Sequence, residues 1–266
     1  MAHIERTRAV VEADERYDGR IFPTERAEID RPVRINRGST VEGSVYGNAV
    51  ELSENAVVEG SIMAAESVEL EGGRVDGEVG TPGRVLASDS RVSGTVTGQR
   101  VRLTDCVVRG NVVGDDVVLE NCVVLGIATA DRSLAVEDSL CYTFRGRGET
   151  TVDGGTIVLP QAIADGGINF ETPLSVAGLG ELDLSTGDRA EDGSLPSMDA
   201  EDVYERDGTT YVTMAPRVLN LEKVTARLDE LERGIMDVVD DTSDSDGEKM
   251  DVDDVLDLLG VDSPGL

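Results

Sequence analysis

Between Val33 and Phe144, apolar and polar residues alternate in a phrase that keeps returning: V-x-L, a polar turn, then V-x-G-x-V. Val33-Arg34-Ile35 leads to Val41-Glu42-Gly43-Ser44-Val45, and Val50-Glu51-Leu52 leads to Val58-Glu59-Gly60-Ser61-Ile62. The phrase recurs through Val68 and Val75-Asp76-Gly77-Glu78-Val79, then from Val85, Val101 and Val117, with a looser copy through Leu134, Val136, Cys141 and Thr143. The first residues of the six clear copies lie 17, 18, 17, 16 and 16 positions apart. Strict alternation is the signature of a half-buried strand, and no copy holds the longer helical pattern of a leucine-rich or helical repeat. Internal periods of this size predict a solenoid.

Each coil is expected to hold two short strands, every strand pairing with its equivalent one coil up at about 4.8 Å. Six or seven coils then form an all-β rod core roughly 30 Å long. Buried Val, Ile and Leu ladders contribute roughly 1.5–3 kcal/mol per side chain. That offsets backbone ordering only when coils stack, so a single coil would not fold. The near absence of aromatics from this region suits a narrow lumen. A left-handed hexapeptide β-helix keeps a strict 18-residue coil; the drift between 16 and 18 here favours the right-handed form.

Outside the repeat, residues 1–32 read as a charged tail, in which Ile21-Phe22-Pro23 either covers the open first coil or is disordered with the rest. Residues 147–185 form a further, weaker β-rich segment that continues the rod, caps it or folds alongside, and 186–200 an acidic linker. Val203–Arg206 and Thr209–Val212 flank Asp207-Gly208, a hairpin turn signal. After Pro216, Leu221, Val224, Leu228, Leu231, Ile235 and Val238 fall at alternating spacings of three and four, an amphipathic helix with a heptad seam. Its span is short for a free coiled coil. The seam packs either on its own protein or on another molecule, and 201–239 form one hairpin-plus-helix unit. Residues 240–266 read as an acidic disordered tail with a short terminal helix. Within that helix Val255, Leu256, Leu258 and Leu259 resemble a docking segment for a partner groove.

Composition narrows the partners. The 266 residues carry 54 acidic against 24 basic side chains, a formal charge of −30. Only Lys223 and Lys249 are lysines, the remaining basic residues being arginines. An acid-covered, lysine-poor surface suits a cytoplasm of very high salt, where repulsion is screened. Nucleic acid and anionic lipid are poor partners for it, so neither nucleic-acid binding nor direct membrane insertion is expected. The sequence has no signal-peptide hydrophobic run and no membrane-length apolar stretch, so a cytoplasmic location is expected, membrane association requiring a partner.

Catalytic signals are scarce. The only histidine is His3, whereas hexapeptide acyltransferases use a histidine on the coils as general base. There is no phosphate-binding G-x-x-x-x-G-K-[ST] loop, and no G-x-S-x-G elbow. The compact coils leave no loop insertions to build a sugar-binding cleft. No enzyme activity, cofactor or metal site is therefore expected. Cys106 and Cys122 lie one coil apart and should stack as small buried residues, with a redox-labile bridge or a metal as the alternatives; Cys141 packs in the last coil.

The register of V-x-G-x-V phrases, with Phe144-Arg145-Gly146 as a closing aromatic-x-Gly phrase, resembles the bactofilins, polymer-forming cytoskeletal proteins, and among these the archaeal halofilin type. The resemblance covers residues 33–146. It implies a right-handed β-helix that stacks end to end into non-polar filaments without nucleotide, often at the membrane, with a role in cell shape. A β-helix has two ends of unpaired backbone and exposed apolar cross-section, which invite a second copy. The expected poles are Val33, Ile35, Val41 and Val45 at one end, and Leu134, Val136, Leu140, Tyr142 and Phe144 at the other. The long C-terminal extension and the missing apolar N-terminal tail depart from the family. They leave a capped adaptor acting through its C-terminal helices as the alternative to a scaffold.

Overall fold

The computed structural model describes residues 3–4, 9–21, 31–159, 161–172, 174–176, 203–206, 209–213, 221–244 and 252–258. They form a parallel β-solenoid carrying a hairpin and two helices at its C-terminal side. One ladder states the architecture: Ala9, Val33, Val50, Val68, Val85, Val101, Val117, Leu134, Thr150 and Ile168 pair in succession, all in parallel register. The stack thus begins one coil before the repeat visible in the sequence and continues past its end.

The N-terminal extension corrects the sequence reading, and the C-terminal one selects among its alternatives. The segment read as a charged tail contains strands Ala9–Val11 and Arg16–Tyr17, which pair with Val33–Ile35 and Thr40–Val41. Ile21 bridges to Val45 and is buried, which is the first of the two readings for this residue, while Phe22 and Pro23 lie outside the described residues. The segment after Phe144 continues the coils through Glu149–Asp153, Thr156–Ile157, Gln161–Ala164, Ile168–Phe170 and Ser175–Val176.

Each coil also holds three strands, where two were expected. In the coil from Arg84 they are Arg84–Ser88, Arg91–Val92 and Val96–Thr97, and they define a first, second and third face. The glycine of V-x-G-x-V is a corner between the second and third faces, so that phrase is two short strands. A Cβ on Gly94 would lie 2.8 Å from the backbone of Gly77, and one on Gly110 would lie 2.6 Å from that of Gly94. Coils approach too closely there for any side chain. The opposite corner, between the first and second faces, is a left-handed turn: Asn55, Asp89, Asp105, Asn121 and Asp138 all have positive φ, as do Gly38, Gly72 and Gly154. Asn, Asp and Gly tolerate that conformation at least cost, which fixes the residue type at the column.

Inside, the Val, Leu and Ile ladders form one continuous core. Phe144 fits the narrow lumen because its ladder neighbour Ala128 is small, and Ala162 in the next coil is fully buried beside it. Cys106 and Cys122 occupy a buried column with Ser90 and Ser139, and their thiols donate to the Thr104 and Glu120 carbonyls at 3.2 Å. All three cysteines are free and buried. Burial pushes the Cys141 thiol up to about 12 and raises the Cys122 thiol, which keeps both in the unreactive protonated form.

The hairpin Val203–Arg206 and Thr209–Thr213 forms around the two-residue link anticipated from its sequence, and its second strand pairs antiparallel with Gln161–Ala164. Two helices follow: α1 (Leu221–Asp244) and α2 (Val252–Leu258). The predicted linker 186–200, Pro216 and Leu259 lie outside the described residues, and nothing is described of the Leu221 and Leu258 side chains.

Candidate interaction surfaces

Eight of the nine residues predicted to form the poles are buried within the chain, Tyr142 being the exception. Val33, Ile35, Val41 and Val45 are at most 2% exposed beneath the preceding coil. Leu134, Val136, Leu140 and Phe144 are buried as well, the next coil pairing with their strands through Thr150, Val152 and Thr156. The observed ends lie farther out, and each is partly closed by the chain itself. At the N-terminal end His3–Ile4 pairs antiparallel with Ala9–Val11. At the C-terminal end the hairpin covers Gln161–Ala164.

The rest of the C-terminal end differs. Along one lumen ladder, Val11, Ile35, Leu52, Leu70, Ala87, Leu103, Leu119, Val136 and Val152 are all buried. The tenth rung, Phe170, sits in register on Val152 and is 43% exposed. Among the described residues, no strand pairs with the outer edge of Ile168–Phe170. Apolar cross-section and unpaired backbone therefore coincide at this rung.

The second face carries the helices. Its outward positions follow two ladders. One runs Val57, Arg74, Arg91, Val107, Val123, Leu140. The other passes from Glu59, Asp76 and Ser93 to Arg109, Leu125, Tyr142 and Val158. Both turn apolar in the C-terminal coils, where Val107, Val123, Leu125, Leu140 and Val158 form a second buried cluster with α1 and α2. Tyr142, read as a pole residue, points outward into this cluster.

From α1 the cluster takes Leu231, Ile235 and Val239, with Leu228, Met236 and Val238 partly buried against it. Val224 is also buried. The heptad seam thus packs on its own solenoid, the first of its two readings. Val239 replaces Val238 as the buried residue because a straight helix turns every 3.6 residues and drifts off a strict heptad. The proposed docking segment is likewise engaged within the chain: Val252, Val255 and Leu256 of α2 are buried in the same cluster.

Two arginines pin α1 at the edge of this footprint. Arg109 donates through Nε and Nη2 to Glu232 Oε1 at 3.0 and 2.6 Å. Arg91 donates to Asp240 at 3.0 Å and to the Val239 carbonyl. Burial lowers the Arg91 guanidinium, and Asp240 works against that. Tyr142 lies beside Glu232, Asp229 and Arg109, and its buried hydroxyl has no hydrogen-bond partner among the described residues. Burial, followed by the Glu232 and Asp229 charges, pushes it up to about 12.

The first face carries arginine–carboxylate pairs, with Leu86, Val118 and Ala135 as apolar rungs between and beyond them. Arg34 pairs with Glu51 at 2.6 Å, Arg84 with Glu69 at 2.7 Å and Arg102 with Glu120 at 2.9 Å, each across one coil spacing. Glu120, Glu137 and Asp153 stack as a carboxylate column. Burial and the Glu120 charge raise Glu137. Among the described residues no three His, Cys, Asp or Glu side chains are placed to hold a metal ion, and no helix is long and apolar enough to cross a membrane. Set against known proteins, the chain matches no family model, no curated protein and no solved structure.

Proposed function

We propose that the chain is a non-enzymatic cytoskeletal scaffold whose solenoids join end to end without nucleotide, as its bactofilin-like repeat implies, in a high-salt cytoplasm. The observation that carries this reading is Phe170: a large apolar side chain in lumen register, exposed on the terminal rung. Covering it with another solenoid repeats the contact that each coil already makes with the next. It also supplies partners for the open strand edge. The N-terminal coil, with the outer edge of Arg16–Tyr17, is the complementary surface.

A second reading rests on the antiparallel strands at both ends, which blunt part of each edge. In that reading the chain is a capped adaptor of limited assembly. Light scattering and negative-stain microscopy of the full chain in multimolar KCl, without nucleotide, separate the two. Rods that disappear with Phe170→Arg support the scaffold. A monodisperse species unaffected by that substitution supports the adaptor. Phe144→Arg is not a test of either, because Phe144 is core.

A further inference from the structure

The third face is unlike the other two. From Tyr46 its outward ladder runs Met63, Gly80, Thr97, Val113, Thr129, six rungs without a charge before Arg145. The outward column on one side, from Ser44 to Ile127, is hydroxyl, amide or apolar apart from Glu78; on the other side Asp115 and Asp131 border the face. Of the six large apolar side chains exposed among the described residues, four are here: Tyr46, Met63, Val113 and Ile127. In a chain of net charge −30, the first face is laced with arginine and carboxylate, and the second is charged or under helices. By the first flank two copies meet arginines and carboxylates already paired within each chain, and by the second they meet charge or helices; by this one they meet mainly hydroxyls and apolar groups.

We infer that the third face is a lateral contact between two copies of this chain, lying flank to flank. Six rungs at about 4.8 Å and a strand about 10 Å wide give on the order of 300 Å² per copy. A stable pair needs about 800 Å² per partner, so one such contact is weak. Repeated along an end-to-end rod, the contacts add through effective concentration and bundle the rods. Only this cumulative strength rests on the end-to-end reading; the face itself does not. Because the contact is uncharged between anionic molecules, rising KCl strengthens it through screening and salting-out, whereas an ion-paired contact would weaken.

Cysteine cross-linking of the full chain tests it, the native thiols being buried. Thr97→Cys lies mid-face, and Leu86→Cys is an exposed control on the first face. A short bis-maleimide in multimolar KCl is expected to join Thr97→Cys into dimers at least fivefold more than Leu86→Cys. The yield should rise with KCl, and fall to the control level when Met63→Glu and Val113→Glu are added with the far-ultraviolet spectrum unchanged. Equal cross-linking of the two positions, or a yield that falls with KCl, overturns the inference. Adding Phe170→Arg separates the two contacts. Dimers that persist without rods sustain the lateral contact alone; rods without Thr97→Cys dimers overturn it and leave the end-to-end reading intact.

Discussion

The two halves of the second face share one backbone and differ in almost every outward side chain. Over the N-terminal coils the rungs are Arg74, Asp76, Arg91 and Ser93; over the C-terminal coils they are Val107, Val123, Leu125, Leu140 and Val158. Inward residues do not change across the boundary, since Val75, Val92, Val108 and Val124 are all at most 3% exposed. Lumen packing sets the solenoid, and the outward rungs are set by what lies on them. The coils hold themselves up, whereas the helices hold only where the face has been made apolar.

The sharpest way to break this comparison is Ile235→Asp, which places a carboxylate in a fully buried position under α1. Docking should weaken by at least about 4 kcal/mol. Limited proteolysis is expected to remove the helices while the solenoid's β-spectrum and melting persist; a joint collapse would show that the two regions are one cooperative unit. Next come paired truncations on the solenoid side. Leu125→Ala, under the helices, should cost about 2–4 kcal/mol, and Leu86→Ala, on the first face, about 0.5 kcal/mol or less. Thermal melts of the two variants read that difference directly.

Smaller effects sharpen the boundary. Arg109→Ala removes a partly exposed forked pair with Glu232 and should loosen α1 by about 0.5–1 kcal/mol, less as KCl rises. Hydrogen exchange along α1 measures it. Tyr142→Phe deletes an unpaired buried hydroxyl and should leave docking unchanged or up to about 1 kcal/mol tighter. Its pH dependence has a definite sign. The phenol is raised from 10.0 to about 12, so the folded state favours the neutral form. That preference is fully present below pH 10 and is lost as pH climbs toward 12. Docking in the parent should therefore weaken over this window more than in Tyr142→Phe.

The solenoid was legible because its signal is written once per coil and repeated. Its ends were not. Ala9-Val10-Val11 carries the right residues, but the residues between Ile21 and Val33 stretch the first interval to 24 positions and hide the period. At the other end Thr150 stands where the rungs from Val33 to Leu134 are Val or Leu, a change the lumen accepts and a pattern search does not. The third strand per coil was hidden in V-x-G-x-V, because alternation continues across the glycine while the chain turns. The helix seam could be found, but not its occupant. That information sat in the outward rungs Val107, Val123 and Leu140, the last read as a pole residue, although each departs from a polar exterior. Phe170 left no signal, since its meaning depends on being the last rung.

The ladders have a consequence for length. Removing residues 68–84 would join Ser67 directly to Val85, residues whose neighbours Arg84 and Val68 already stack on them in register. Every lumen column would close, the helix footprint from Arg91 onward would stay in place, and the rod would shorten by about 4.8 Å. Inserting a copy of the same residues would lengthen it by as much. The spacing between the two ends of this molecule is in that sense a counted quantity, adjustable in whole coils by duplication or loss of a segment of the chain.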